Sequence, residues 1–147
     1  MKILIPLDGS DFALAAVHHA LRLHHDGLRA GFVLATVQEP GSVFEVLMVP
    51  DAEARENVNQ TVGAQALQGG EALFNAARVP FEREVRSGYA ATMLIEIAED
   101  FECDAIILAV NGQGKGTLRS ALFGSVAQAI LHASTLPVTI VKHPIAA

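Results

Sequence analysis

Val110-Asn111-Gly112-Gln113-Gly114-Lys115-Gly116-Thr117-Leu118-Arg119-Ser120-Ala121-Leu122-Phe123-Gly124-Ser125 joins two segments of different character. Before it runs Ala105-Ile106-Ile107-Leu108-Ala109-Val110, apolar throughout, as a strand buried on both faces must be. After it runs Val126-Ala127-Gln128-Ala129-Ile130-Leu131-His132-Ala133, which reads as a helix. A glycine-rich connection from a buried strand into a helix is where α/β proteins cradle phosphate. Glycine lets the backbone approach the ligand, and the N–H groups at a helix start carry partial positive charge. Lys115 and Arg119 add two positive charges to this stretch. An ordinary surface loop that needs glycine for its turns would have the same composition.

Upstream, the same alternation of strand and helix repeats. Residues 2–7 predict a buried first strand that ends at Pro6, where a backbone donor is missing. Asp8-Gly9-Ser10 is turn chemistry, with Ser10 the expected N-cap of a first helix marked by Leu14, Val17 and Leu21 and closed by Gly27. A second strand is expected over 31–37, and the segment 38–50 is long for a structureless connection. Asp51 is placed to cap a long helix to about Ala77, with Val58, Val62, Ala66, Leu73 and Ala77 on one face. Its glycines predict irregularity near Gly69-Gly70, since each costs about 1 kcal/mol relative to alanine. Residues 81–86 alternate, with charges on one side, which suits an edge strand. Met93, Leu94, Ile97, Ala98 and Phe101 mark a third helix, and Pro137 opens a fifth strand over 138–141.

The order β-α-β-α-β-α-β-α-β with apolar strands implies a three-layer α/β sandwich around a five-stranded parallel sheet. Such sheets bind ligands beyond the strand C-termini, where strand order reverses. In the order 3-2-1-4-5 the first and fourth strands flank that crevice, so Asp8 and Asn111 would both face it.

Composition bounds the function. At 147 residues with 51% hydrophobic content, one packed domain spanning 1–147 is expected. A net charge of −6 argues against a general nucleic-acid binder, which needs uncompensated Lys and Arg. No apolar run reaches membrane-spanning length, and the first apolar stretch is too short for a signal peptide. With one cysteine, Cys103, a cytoplasmic location is the default expectation.

Four blocks in order carry a family resemblance over essentially the whole chain. They are Ile3-Leu4-Ile5-Pro6-Leu7-Asp8-Gly9-Ser10, Cys103-Asp104-Ala105-Ile106-Ile107-Leu108, Gly124-Ser125-Val126 and Leu136-Pro137-Val138-Thr139-Ile140-Val141. They resemble the universal stress protein domain. The glycine loop is similar to that family's nucleotide signature, Gly-x-x-Gly-x9-Gly-Ser/Thr, with Gly114, Gly124 and Ser125 in place and Asn111 where the first glycine belongs. The resemblance implies an adenine-nucleotide alpha-hydrolase-like fold that binds ATP or another adenine nucleotide, with or without Mg. It implies contacts from Pro6, Asp8, the Val37 backbone, Val110, Asn111, Gln113, Gly114, Gly124, Ser125 and Val126. Asn111 would either crowd the nucleotide or hydrogen-bond it, and asparagine tolerates positive φ better than most residues. The alternative is a dimeric interaction protein whose pocket no longer takes nucleotide.

Other candidates are weaker. His18, His19, His24 and His25 share a helix, but no cysteine or carboxylate-rich partner set accompanies them, so a solvated face is expected. Cys103 has no basic sequence neighbour to lower its pKa and reads as an inert thiol. No P-loop, dinucleotide fingerprint or nucleophile elbow is present, so no catalytic set is identified and slow ATP hydrolysis is the most to expect. The fifth strand is an apolar edge up to Lys142, whereas the third is charged at Glu82, Arg83, Glu84 and Arg86. An apolar edge is an association hazard unless covered. Pairing two copies about a two-fold axis covers both edges, so a homodimer through Val138, Thr139, Ile140 and Val141 is expected. The resemblance implies the same pairing.

Overall fold

The computed structural model describes residues 1–39, 51–111 and 118–143, and within these the side chains of 111, 118–123 and 143 are left aside. Five strands, β1 (Lys2–Pro6), β2 (Gly31–Gln38), β3 (Glu82–Ser87), β4 (Ala105–Asn111) and β5 (Val138–His143), form one sheet in the order β3-β2-β1-β4-β5. Every pairing is parallel. Four helices connect them among the described residues: α1 (Leu14–His25), α2 (Ala52–Ala77), α3 (Ala90–Asp100) and α4 (Leu118–Ala133).

Two cores lie on opposite faces of the sheet. One gathers Ile3, Ile5 and Leu34 under α1 and α2, and the other gathers Leu4, Val33 and Ile106 under α3 and α4. Alternate residues of each central strand therefore serve opposite faces, and both kinds are apolar. Phe32, Phe74 and Phe81 stack edge to face in series, with ring centroids 5.2 and 5.6 Å apart. Each fully buried side chain of this size stabilises the fold by about 1.5–3 kcal/mol.

The long helix departs from its expected form in two ways. It is continuous through Gly69-Gly70, and its buried residues are Gly63, Leu67, Gly70 and Phe74. Val58 and Val62 are exposed, as is Ala77, while Ala66 and Leu73 are half-buried. The glycines are the reason. A Cβ at position 70 would fall 2.6 Å from Leu7 Cδ1, and one at 63 would fall 2.3 Å from Val85 Cγ1. Glycine on the buried face lets α2 lie close to the sheet, and packing outweighs its poor helix propensity.

Two local expectations also change. The side chain of Ser10 does not cap α1, which starts at Leu14 after Ala13; its Oγ instead accepts the Ala13 N–H (3.4 Å) one turn earlier. The fourth helix begins at 118, not 126, and breaks at Gly124, whose φ of 62° and ψ of 164° are non-helical.

Candidate functional site

The crevice opens where the strand order reverses, beyond the C-termini of β1 and β4. β1 runs out at Pro6, and the Leu7 N–H still pairs with the Ala35 carbonyl (2.8 Å), which holds the turn against β2. Asp8 then bends back on itself. Its Oδ1 accepts the Ser10 N–H at 2.9 Å and the Ser10 hydroxyl as well. That Asx turn sets the corner and leaves Asp8 exposed at the mouth.

The cavity measures about 370 Å³. Its floor is Leu7, Leu108, Ala109 and Val110, all buried. Phe12 and Ala13 flank it on the α1 side, Val37, Ala90 and Leu94 on the α3 side, and Gly124, Ser125, Val126 and Ala127 at the break in α4. Among the described lining residues, Asp8 and Ser125 carry the polar side chains.

Gly124 shapes the far end. Its φ/ψ pair belongs to a region essentially restricted to glycine. No atom lies within 4 Å of where a Cβ would stand. Beyond it the chain is helical again, and the first N–H groups of a helical segment have no intrahelical partner. An apolar slot with donors at one end and an exposed carboxylate at the rim suits a ligand with a flat apolar part and an anionic part.

Of the residues singled out from the sequence, Pro6, Asp8, Val37, Val110, Gly124, Ser125 and Val126 line this one cavity. Asn111 ends β4 beside it, with its side chain outside the described residues. Gln113 and Gly114 also lie outside the described residues. Sequence reading missed Phe12, Ala90 and Leu94, which are apolar residues of helix and turn with no motif to mark them.

The remaining candidates are placed elsewhere. His18, His24 and His25 are exposed, and His24 sets its ring edge to Phe32 at 6.4 Å. No three His, Cys, Asp or Glu side chains converge as a metal group among the described residues. Cys103 is buried, and that burial pushes its thiol up to about 11. This agrees with the reading of an inert thiol: Lys2, far away in sequence, favours the thiolate, but desolvation dominates. No helix among the described residues is long and apolar enough to cross a membrane.

Fold and cleft together define an α/β protein with an open cleft at the switch point of a parallel sheet, the place where such sheets take ligands. The model of the universal stress protein family matches residues 1–142, and the chain belongs to that family. It is 28% identical over 146 residues to universal stress protein MJ0531 of Methanocaldococcus jannaschii, covering 97% of this chain and 82% of the relative. A universal stress protein solved in complex with cAMP matches with a TM-score of 0.65 at 21% identity, over 98% of each chain. A family protein of Arabidopsis thaliana solved with AMP bound matches with a TM-score of 0.67 at 14% identity, over 98% of this chain and 92% of that one. At those identities the two structures share the fold with this chain.

Proposed function

We propose that this protein is a cytoplasmic universal stress protein that binds an adenine nucleotide, ATP included, in the switch-point cleft and works as a homodimer paired through β5. The observation that carries the reading is the convergence of Asp8, Val37 and Gly124-Ser125 on one apolar cavity at the strand ends. Structures of family members with AMP and cAMP bound support adenine as the base. In this reading the phosphates sit at the Gly124-Ser125 corner with Gln113 and Gly114. Asp8 faces the ribose, and the base reaches toward Val37.

Two measurements test it. Denatured protein fresh from purification should release adenine nucleotide detectable by mass spectrometry. Gly124→Val should lower nucleotide affinity at least about tenfold, because the side chain both enters the phosphate corner and forces the backbone out of its glycine-only conformation. A folded Gly124→Val protein with undiminished affinity would place the nucleotide elsewhere.

A further inference from the structure

We propose that Glu39 is a specificity-determining residue of the cleft. In this assignment its carboxylate accepts a hydrogen bond from an amino group on the ligand's base and disfavours a base with a carbonyl in that place. The proposal rests on the nucleotide reading above and adds what the far wall of the slot selects.

Alternation along an extended chain puts residues 37 and 39 on the same face. Val37 lines the cavity and packs with the core under α3. Glu39, one step past the end of β2, therefore projects to the same side. Glu39 is exposed and lies at the rim, outside the cavity lining itself, and one contact ties it there: Oε1 accepts the Ala90 N–H at 3.4 Å, and Ala90 lines the cavity. The corner around it is tied. The Gly88 N–H pairs with the Gln38 carbonyl at 3.0 Å, and Gln38 is in register with Ser87. A carboxylate at the first turn of α3 also interacts favourably with the partial positive charge there.

The neighbouring wall, Val37, Ala90 and Leu94, offers no side-chain hydrogen bond to a base. The acid at its edge is an acceptor, so it pairs with N–H and repels a carbonyl oxygen. With phosphates at Gly124, the base end of the ligand is the end that reaches this wall. A base is told apart most strongly where a wrong group leaves a polar partner unmatched.

The test compares AMP with inosine monophosphate, which carries a carbonyl where AMP carries the amino group. Binding is measured by calorimetry on nucleotide-stripped wild-type, Glu39→Gln and Glu39→Ala proteins. Wild type should prefer AMP by about tenfold or more, the scale of one hydrogen bond to a charged group. Glu39→Gln keeps the size but adds an N–H donor, so it should bind inosine monophosphate more tightly and bring the ratio to about two or below. Glu39→Ala, its fold checked by circular dichroism, should lose AMP affinity and most of the preference. An unchanged ratio in both variants, or an equal loss for both nucleotides, would reduce Glu39 to a support for α3 and overturn the assignment. If wild type binds neither nucleotide, the nucleotide reading falls and takes this one with it.

Discussion

β3 and β5 end the same sheet, yet β3 is charged along its length and β5 is apolar up to Lys142. On β3, Lys2 meets Glu82 at 3.3 Å and Arg83 meets Glu71 at 3.6 Å. Arg86 pairs with Glu84 at 3.1 Å and with Asp100 of α3 at 2.8 Å. Burial would lower the Arg86 pKa, but the two carboxylates outweigh it and hold the guanidinium charged. From above, α2 brings Gln60 Nε2 to the Val85 carbonyl at 3.4 Å and Asn59 Nδ2 to Ser87 Oγ at 3.1 Å. Nothing comparable dresses β5 among the described residues: Val138, Ile140 and Val141 are half-buried against the cores, and Thr139 and Lys142 are exposed. The contrast teaches that one edge is closed within the chain while the other is left open among the described residues, the condition under which an apolar edge invites pairing.

The largest effect should come from breaking the open edge. The Ile106 N–H bonds the Pro137 carbonyl, which fixes the parity of the ladder: residues 137, 139 and 141 point their backbone groups at β4. Ile140 therefore points its N–H outward. Ile140→Pro should weaken the proposed dimer by about a hundredfold or more, seen by sedimentation, while the monomer stays folded, since proline is tolerated on edges. Thr139→Pro removes a donor to β4 and should lower stability instead. A wild-type monomer at micromolar concentration, or a dimer indifferent to Ile140→Pro, would defeat the β5 pairing.

How much of this was legible in the sequence follows from the range of the interactions. The strands themselves, charged at 82–86 and apolar at 138–141, could be read because they rest on local alternation and on the apolar runs around Ile5 and Ile107. Their order, which sets the edges and the switch point, is a long-range property, assumed with the fold class, that the sheet bears out. The corner at Asp8 and Gly124 could be read because turn chemistry is local. The buried face of α2 could not. Gly63 and Gly70 look like helix weaknesses until Val85 and Leu7 are brought against them by tertiary packing. Glu39 and Ala90 are 51 residues apart, and no local pattern announces their contact.

The closed edge should break next, through Gly63. Alanine there would gain about 1 kcal/mol of helix propensity. Against this, its Cβ would meet Val85 Cγ1 at 2.3 Å, and a β-branched side chain has little rotamer freedom with which to yield. Overpacking of this kind costs about 1–3 kcal/mol and should win. Gly63→Ala should therefore shift the urea midpoint downward and lift the first half of α2 from β3. A stabilised variant would mean that α2 moves away at no cost and that its closeness does not guard the edge.

The smallest effect on stability, and the sharpest test of the contrast, is the pair Asn59→Ala and Gln60→Ala. Both bonds are at the surface or partly buried, and a hydrogen bond of that kind is worth about 0.5–1.5 kcal/mol at most, less at 3.4 Å. Unfolding should therefore change little. Association is where the double variant should differ. With the Val85 carbonyl uncovered, a second sheet edge becomes available beside β5, and heterologous β3–β5 contacts can run on without closing. Light scattering at increasing concentration should then show species larger than a dimer, and added Ile140→Pro should suppress them. If the double variant keeps the wild-type size distribution, the charges at Glu82, Arg83, Glu84 and Arg86 protect β3 without help from α2. The difference between the two edges then resides in β3 itself.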